Sequence, residues 1–245
     1  RKMIATERGK ILYNFINESL VKLVEAENHF HASVEKEKPT ISVGMCFETF
    51  QFTLESHLPT LDFNVIIKFG DYPEMLRDLD SGILDLIITP QKGEYKTINY
   101  KPFFKEKIVI IGGNKTDNEA FNKLLKRKDK IEILAFLKQQ TWYGTTADME
   151  HLRRFWHQNF GHRPDFKPNY IVPNMSSIIR CLISGKGIAV MPDFLSKKEL
   201  DAGNIKIIWD GFSPIENTLY FGTRKNNIHE KEINQIEKIF MMEMA

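Results

Sequence analysis

The sequence predicts an α/β protein in which two α/β units follow one long helix. From Arg8 to Val34 the chain contains no proline, and its single glycine, Gly9, comes at the start of this stretch. After Pro39, short runs rich in β-forming residues alternate with helical stretches, and the same alternation returns in the second half of the chain. These observations favour a helix that leads into layered sheets and helices.

The composition limits the classes of function. With 245 residues, 42% of them hydrophobic, the chain is long enough for one or two packed cores. Its 34 basic and 32 acidic residues are too evenly balanced for a dedicated nucleic-acid binder, so we expect any DNA contact to come from another segment.

The cysteines and the apolar runs predict the cellular compartment and whether the chain crosses a membrane. Cys46 and Cys181 cannot form a disulfide framework, and no charged-then-apolar leader precedes the first helix. The longest apolar runs are far shorter than the roughly twenty residues that cross a bilayer. We therefore expect a cytoplasmic protein with no membrane partner.

The long N-terminal helix carries an apolar stripe. Apolar residues recur at intervals of three and four, interrupted only by Glu27. They are Tyr13, Ile16, Leu20, Leu23, Phe30 and Val34. The stripe predicts either a dimerisation helix or a helix packed on its own domain, and the charged exit at 35–39 favours a dimerising connector.

The first α/β unit is predicted to contain the elements βαβαβ in order. Its runs are TISVGM, FQFTLESHL, FNVIIKF, YPEMLRDLDSG and LDLIIT. Right-handed crossovers would arrange these strands as a parallel sheet, with ligands near the carboxyl ends of the strands. Those ends fall at Cys46–Thr49, Gly70–Asp71 and Thr89–Pro90.

The remaining elements alternate again. Strands are predicted at KIVIIGG (107–113), Asn169–Val172, KGIAVMP, NIKIIW and TLYFGTR. Helices are predicted at NEAFNKLLKR, MEHLRRFWHQNF, SSIIRCLISG and KEINQIEKIFMMEM. We expect the basic run between 123 and 130 to be a solvated helix end.

Three blocks resemble the LysR-type transcriptional regulators. In the first, Gly70 ends a strand, Leu76 and Leu79 lie on a helix, and Gly82, Asp85 and Leu86 form a Gly-x-x-Asp-Leu motif. The second is a glycine-rich turn into a strand that ends in proline: Gly185, Gly187 and Pro192. Here we expect Gly185 to cap a helix in the left-handed region. The third, Thr6-Glu7-Arg8-Gly9, is similar to the junction that follows the family's winged helix.

The resemblance implies an architecture. Two Rossmann-like subdomains enclose a hinged cleft, as in type II periplasmic binding proteins, and the chain crosses between them near Phe104 and Glu216. The implied boundaries are 1–8 for a remnant of the DNA-binding domain, 9–38 for the linker and dimerisation helix, 39–104 with 217–245 for subdomain I, and 105–216 for subdomain II.

The resemblance also implies partners. They are a small-molecule effector in the cleft, DNA through an N-terminal domain absent from this chain, and a second copy in a homodimer or homotetramer. No cofactor, metal or catalytic residue is implied.

The effector site is expected where strand ends and helix starts from the two subdomains meet. Its candidate residues are Phe47, Glu48, Thr49, Asp71, Thr89, Tyr143, Thr145, Asn174, Met175 and Ser176. Glu48 and Asp71 depart from the family pattern, and as acidic groups they favour a neutral, polyhydroxylated or cationic effector over a simple carboxylate. Alternatively they cap helices, as Asn174 also could.

Other functions are weighed against this one. A free-standing solute-binding protein of the same fold is the main alternative, and an enzyme with Glu48 and Asp71 as acid and base is another. The spacing of the histidines does not suggest a metal site. A redox role for Cys46 or Cys181 stays open beside the ordinary role of a buried thiol.

Overall fold

The computed structural model describes residues 6–34, 38–145 and 149–244, with the side chains of 25–34 and of Met149 left undescribed. The chain divides into two compact units. The first runs to Thr40 and includes Asp62–Asn64, and the second comprises Ile41–Leu61 and the chain from Val65 onward. Residues 1–5, most of the predicted DNA-binding remnant, and 35–37 of the predicted linker lie outside the described residues.

The first unit contains helix α1, Glu7–Val34, close to the predicted bounds. Thr6 starts the helix, because its hydroxyl accepts a bond from the Gly9 amide at 3.2 Å. At 1.5 Å per residue, its 28 residues extend about 42 Å. Within this unit the Asn64 amide donates to the Pro39 carbonyl at 2.8 Å, which ties Asp62–Asn64 to the end of the linker.

The second unit is built on a mixed sheet. Its strands are β1 Thr40–Met45, β2 Asn64–Phe69, β3 Leu86–Thr89, β4 Ile98–Gly113, β5 Tyr143–Gly144, β6 Tyr170–Ile171, β7 Ile188–Pro192, β8 Ile205–Trp209 and β9 Ile215–Arg224. The order is β2-β1-β3-β9-β4-β7, with β8 also paired to β4. Strands β5 and β6 form a separate parallel pair.

Helices flank these strands. They are α2 Phe47–Thr53, α3 Tyr72–Ser81, α4 Glu119–Arg127, α5 Lys130–Lys138, α6 Met149–Phe160, α7 Met175–Ser184, α8 Lys197–Asp201 and α9 Glu230–Glu243. A short 3₁₀ helix at Glu55–Thr60 follows α2. The predicted α/β class and most predicted elements are confirmed.

Two expectations about the sheet were wrong. Strands β1 and β3 are parallel as predicted, but β9 runs antiparallel to both β3 and β4, so the sheet is not purely parallel. Strand β4 begins at Ile98 instead of residue 107, because its first half pairs with β9. Its register shifts between Pro102 and Phe104, where proline lacks the amide that a regular ladder needs.

The glycine-rich turn also differs from expectation. Gly185 has an extended backbone (φ −139°), whereas Gly187 has φ +129°, so the position that requires glycine is Gly187. A Cβ on Gly187 would lie 2.6 Å from Cε2 of Tyr143. The main chain of Gly187 is fixed by Thr116, whose hydroxyl accepts from its amide and donates to its carbonyl. Strand β7 therefore starts tightly against α7.

The basic run ends α4, as expected, and its last member, Lys130, begins a further helix, α5. Lys128 ends α4 with φ +57°, and Asp129 caps α5 by accepting from the amides of Ile131 and Glu132. The basic residues of the run are exposed, as expected: Lys123, Lys126, Arg127, Lys128 and Lys130. Helix α5 was not predicted.

The core consists of packed clusters on both faces of the sheet. In the second half of β4, Ile108 and Ile110 pack under α5 and α6, whereas Val109 and Ile111 pack under α7. A third cluster lies under α3 and includes Met75, Leu79 and Ile87. Because both faces of the second half of β4 are covered, its residues from Ile108 to Ile111 form a continuous apolar run.

The Gly-x-x-Asp-Leu motif joins the first strands. Gly82 ends α3 in the left-handed region at φ +85°. Three residues later, the Asp85 carboxylate accepts from the Ser42 amide of β1 at 2.9 Å and lies 3.8 Å from Arg224 of β9. The motif therefore connects α3 to both strands that flank β3.

Candidate effector-binding site

Helix α2 starts directly at the end of β1. Its first turn is closed by the Cys46 thiol, whose Sγ lies 2.8 Å from Oγ1 of Thr49. Thr49 is buried, and its carbonyl accepts from the Thr53 hydroxyl at 2.7 Å. The hydroxyl of Thr49 is thus used within the helix start.

Helix α7 starts at residues that were predicted for the other side of the cleft. Asn174 is its N-cap, and the Asn174 side chain accepts from the Ser177 amide at 2.8 Å. The next two residues, Met175 and Ser176, carry further donors at this helix start. Asn174 therefore has the capping function that was considered for it.

The starts of α2 and α7 are in direct contact. The Met175 amide lies 3.5 Å from Oε1 of Glu48, and the Ser176 hydroxyl donates to Oε1 of Gln51 at 2.7 Å. These two contacts join residues that are 127 and 125 positions apart in the sequence. Of the predicted site residues, Glu48, Met175 and Ser176 share this contact.

A groove of about 780 Å³ opens beside this contact. Glu48, Gln51, Met175 and Ser176 all line it, with apolar side chains such as Ile179. Its volume lies within the range of roughly 300 to 1,000 Å³ that is typical of ligand pockets. The groove can hold a small metabolite that contacts both helix starts.

A polar network around the buried Glu106 lies where the chain passes along β4 and β9. Glu106 is 5% exposed and faces Asn217, whose side-chain amide donates to its carboxylate at 2.6 Å. Arg154 of α6 in turn donates to Oδ1 of Asn217 at 2.6 Å. Burial raises the pKa of the Glu106 carboxyl, although the bond from Asn217 opposes this.

Glu106 and Glu48 act on the same buried pair of groups. The pKa values of the Cys46 thiol and the Tyr72 hydroxyl are both raised, mainly by burial, and nearby negative charge from Glu48 and Glu106 contributes to both. A raised pKa keeps the Cys46 thiol protonated near neutral pH, which disfavours thiolate chemistry.

The other predicted residues have local functions. Asp71 is exposed and caps α3 by accepting from the Glu74 amide at 2.8 Å. Thr89 is buried, and its hydroxyl both donates to and accepts from the main chain of Gln91. The Phe47 ring packs edge-on against Phe69 at 5.3 Å.

On the side of β5, Tyr143 stacks on Tyr170 with ring centroids 5.0 Å apart, and burial raises the pKa of its hydroxyl. Thr145 is buried, and the residues that follow it, 146–148, are outside the described chain. Neither residue belongs to the α2–α7 contact.

Sequence reasoning missed Gln51, Glu106 and Asn217. Gln51 could have been found, because it follows Glu48 by three positions and so shares its helix face. Glu106 and Asn217 gave no such signal, since their pairing depends on the register of β4 and β9.

Metal and membrane sites are not indicated in the residues described. Their His, Cys, Asp and Glu side chains do not form a group of three or more that could hold a metal ion. Likewise, the helices that the structure describes lack a segment long and apolar enough to cross a bilayer.

Comparison with known families and proteins gives consistent matches. Residues 61–236 match the model of the LysR substrate binding domain. The chain is 22% identical over 189 residues to the HTH-type transcriptional regulator AbaB of Streptomyces antibioticus, a match that covers 73% of this chain. The chain spans 61% of the length of that relative.

Solved structures share the fold at low identity. Full-length LysG of Corynebacterium glutamicum with bound effector Arg has a TM-score of 0.63 at 13% identity, over 99% of this chain and 80% of that one. CrgA of Neisseria meningitidis, a LysR-type transcriptional regulator, has a TM-score of 0.62 at 13% identity, over 100% and 82% of the two chains. ArgP of Mycobacterium tuberculosis has a TM-score of 0.60 at 14% identity, over 98% and 76%.

Proposed function

The chain belongs to the LysR substrate-binding domain family, and on this premise we propose that it is the effector-sensing and oligomerisation region of a DNA-binding transcriptional regulator. A small molecule binds where the starts of α2 and α7 meet. The observation that carries the proposal is the direct contact of Glu48 and Gln51 with Met175 and Ser176 beside a ligand-sized groove.

The contact matters because it joins the two proposed subdomains. Residues 39–104 with 217–245 form subdomain I, and 105–216 form subdomain II, with crossings inside β4 and β9. A ligand at the α2–α7 contact touches both, so its binding energy biases their relative orientation. This change is passed to DNA-binding domains that precede residue 9 in the whole protein, of which 1–8 is the remnant.

Helix α1 supplies the dimer contact in this proposal. Its apolar residues are largely exposed within the described part, for example Tyr13 at 67% and Leu23 at 66%. An exposed stripe at three- and four-residue spacing is stabilised by pairing with a second helix. We place Tyr13, Ile16, Leu20, Leu23 and Phe30 in a homodimer contact, with a homotetramer as a higher assembly; the side chain of Phe30 lies outside the described residues.

The family consists of transcriptional regulators, which supports a regulator over a free-standing solute-binding protein or an enzyme. No catalytic role is proposed for Glu48 or Asp71. Because such a regulator acts on DNA, its proposed location is the cytoplasm.

The test uses the natural gene product. Its intact mass is compared with the 28.6 kDa of this chain, and it is then used to select binding sites from genomic DNA. Metabolites are screened by thermal shift, with Ser176→Ala as the site variant and Ser81→Ala on α3 as the control. We expect a heavier product that selects a defined DNA site, and a metabolite whose stabilising effect is lost in Ser176→Ala alone. A product without DNA binding, or a metabolite response equal in both variants, would contradict the proposal.

A further inference from the structure

At the start of α7, side chains of the chain itself accept from or face three of the hydrogen-bond donors. The Ser177 amide donates to Asn174 within the helix cap. The Ser176 hydroxyl donates to Gln51, and the Met175 amide faces the Glu48 carboxylate. Glu48 and Gln51 of α2 therefore already lie at the place where an effector's anionic group would gain most from the helix dipole.

The charge of Glu48 stabilises it at this position more than its hydrogen bond to the Met175 amide does. At 3.5 Å its contact with the Met175 amide is long for a hydrogen bond, but a carboxylate near a helix N-terminus is stabilised by the partial positive charge there. Gln51, on the same face of α2, adds a short neutral bond at 2.7 Å. The two side chains therefore make different contributions, one electrostatic and one directional.

A second acidic residue contributes to the same region. Glu106 is almost fully buried, and together with Glu48 it raises the pKa of the Cys46 thiol and of the Tyr72 hydroxyl. An incoming anion would have to displace Glu48. Like charges brought together in a partly buried site repel strongly, which is a common means of rejecting wrong ligands.

We propose that Glu48 and Gln51 form an internal clasp on α7, which holds the two parts of the cleft together without ligand and selects for effectors that lack an anionic group. Glu48 is the specificity-determining residue of this clasp, and Gln51 is a positioning residue. A neutral or cationic effector binds beside the clasp instead of replacing it. This inference rests on the proposed function, because it defines the ligand class of the same site.

The first test measures the clasp without ligand. Amide hydrogen exchange at the start of α7 is compared between the unmodified chain, Glu48→Gln, Gln51→Leu and the control Glu119→Gln. Glu119 is a matched control because it is an exposed acidic residue in the first turn of another helix, α4, and does not line the groove. We expect faster exchange in the two clasp variants and no change in Glu119→Gln; equal exchange in all four would overturn the proposal.

The second test measures the charge selection with acetate as the probe. Methyl-labelled methionine spectra follow Met175, with sodium chloride at equal ionic strength as the reference. Removing one repulsive charge should tighten acetate binding by about tenfold in Glu48→Gln, and Glu119→Gln should behave as the unmodified chain. Acetate binding of equal strength in the unmodified chain and Glu48→Gln, or none in either, would overturn the proposal.

These tests fail separately from the proposed function. Neither uses DNA or the natural effector, so a failed clasp beside a successful metabolite screen leaves the regulator in place. If the clasp is confirmed but the natural gene product does not bind DNA, the proposed regulator function is contradicted and the proposed ligand selection is not.

Discussion

Glu106 on β4 faces Asn217 on β9 directly across the sheet, and the Asn217 amide donates to the Glu106 carboxylate at 2.6 Å. Both residues lie at points where the chain passes between the proposed subdomains. A buried carboxyl at this position makes the pair sensitive to protonation, because burial raises the pKa of Glu106 above its ordinary value of 4.5.

Glu106→Gln is expected to change how stability depends on pH. A raised folded-state pKa means that the folded chain binds the proton more readily than the unfolded chain does. The contribution of Glu106 to stability is therefore greatest below about pH 4.5 and is lost as the pH rises through the folded-state pKa. Gln keeps an oxygen that can accept from Asn217 but does not titrate.

The check is urea unfolding of both chains at several pH values from 4.5 to 7.5. Relative to the unmodified chain, Glu106→Gln should gain free energy of unfolding as the pH rises across this window. A difference between the two chains that stays constant with pH would contradict the expectation.

Leu20→Ala is expected to weaken self-association through α1. Leu20 is 53% exposed in the single chain, and a leucine buried in a helix pair loses about 2–5 kcal/mol when truncated. Sedimentation velocity over a range of concentrations would measure the change in dimer dissociation constant. Lys22→Ala, two positions away and outside the stripe, serves as the control. If both variants associate as the unmodified chain does, the stripe is not the dimer contact.

Gly187→Ala is expected to destabilise the second unit much more than Gly185→Ala. Gly187 has φ +129°, and an added Cβ would lie 2.6 Å from Cε2 of Tyr143 and 2.8 Å from the Thr141 carbonyl oxygen. Backbone strain of this kind costs about 1–3 kcal/mol. Gly185 is extended, so its substitution should stay within about 1 kcal/mol of zero. Thermal and urea unfolding would measure both, and equal losses would place the strain elsewhere in the turn.

Asn174→Ala is expected to cost about 1 kcal/mol in the free energy of unfolding, because α7 loses its cap bond to Ser177. The matched control is Asn118→Ala, at the corresponding position of α4, where the side chain makes no capping bond. Urea unfolding should show a smaller loss for the control. If Asn174→Ala leaves stability unchanged, the cap bond contributes little, and a role for Asn174 in ligand binding gains weight.

The sequence predicts this fold well where local signals are strong. Alternation of strands and helices identifies β1 to β3 with α2 and α3, and the three- and four-residue spacing identifies α1. The first half of β4 was missed because Pro102 interrupts the ladder and its apolar residues pair with a strand more than a hundred residues later. Helix α5 was missed because its start lies inside a run of charged residues.

The candidate site was less predictable than the fold. Glu48, Met175 and Ser176 were expected near a ligand because helix starts carry donors and a dipole. That Glu48 would fill the start of α7 could not be read from the sequence, since the contact depends on the placement of two helices far apart along the chain. Asp71 and Thr89 were also expected near a ligand, but their side chains form short-range hydrogen bonds with the main chain of Glu74 and Gln91 instead.

Strands β4 and β9 continue without interruption past the places where the chain crosses between the proposed subdomains. Their pairing joins the proposed subdomains by two hydrogen-bonded strands, which resist twisting more than a pair of loops would. In the proposed mechanism a ligand that rotates the subdomains has to twist this pair of strands, so part of its binding energy is used there. We expect the strands to yield first at the register shift between Pro102 and Phe104, where the ladder of hydrogen bonds is irregular.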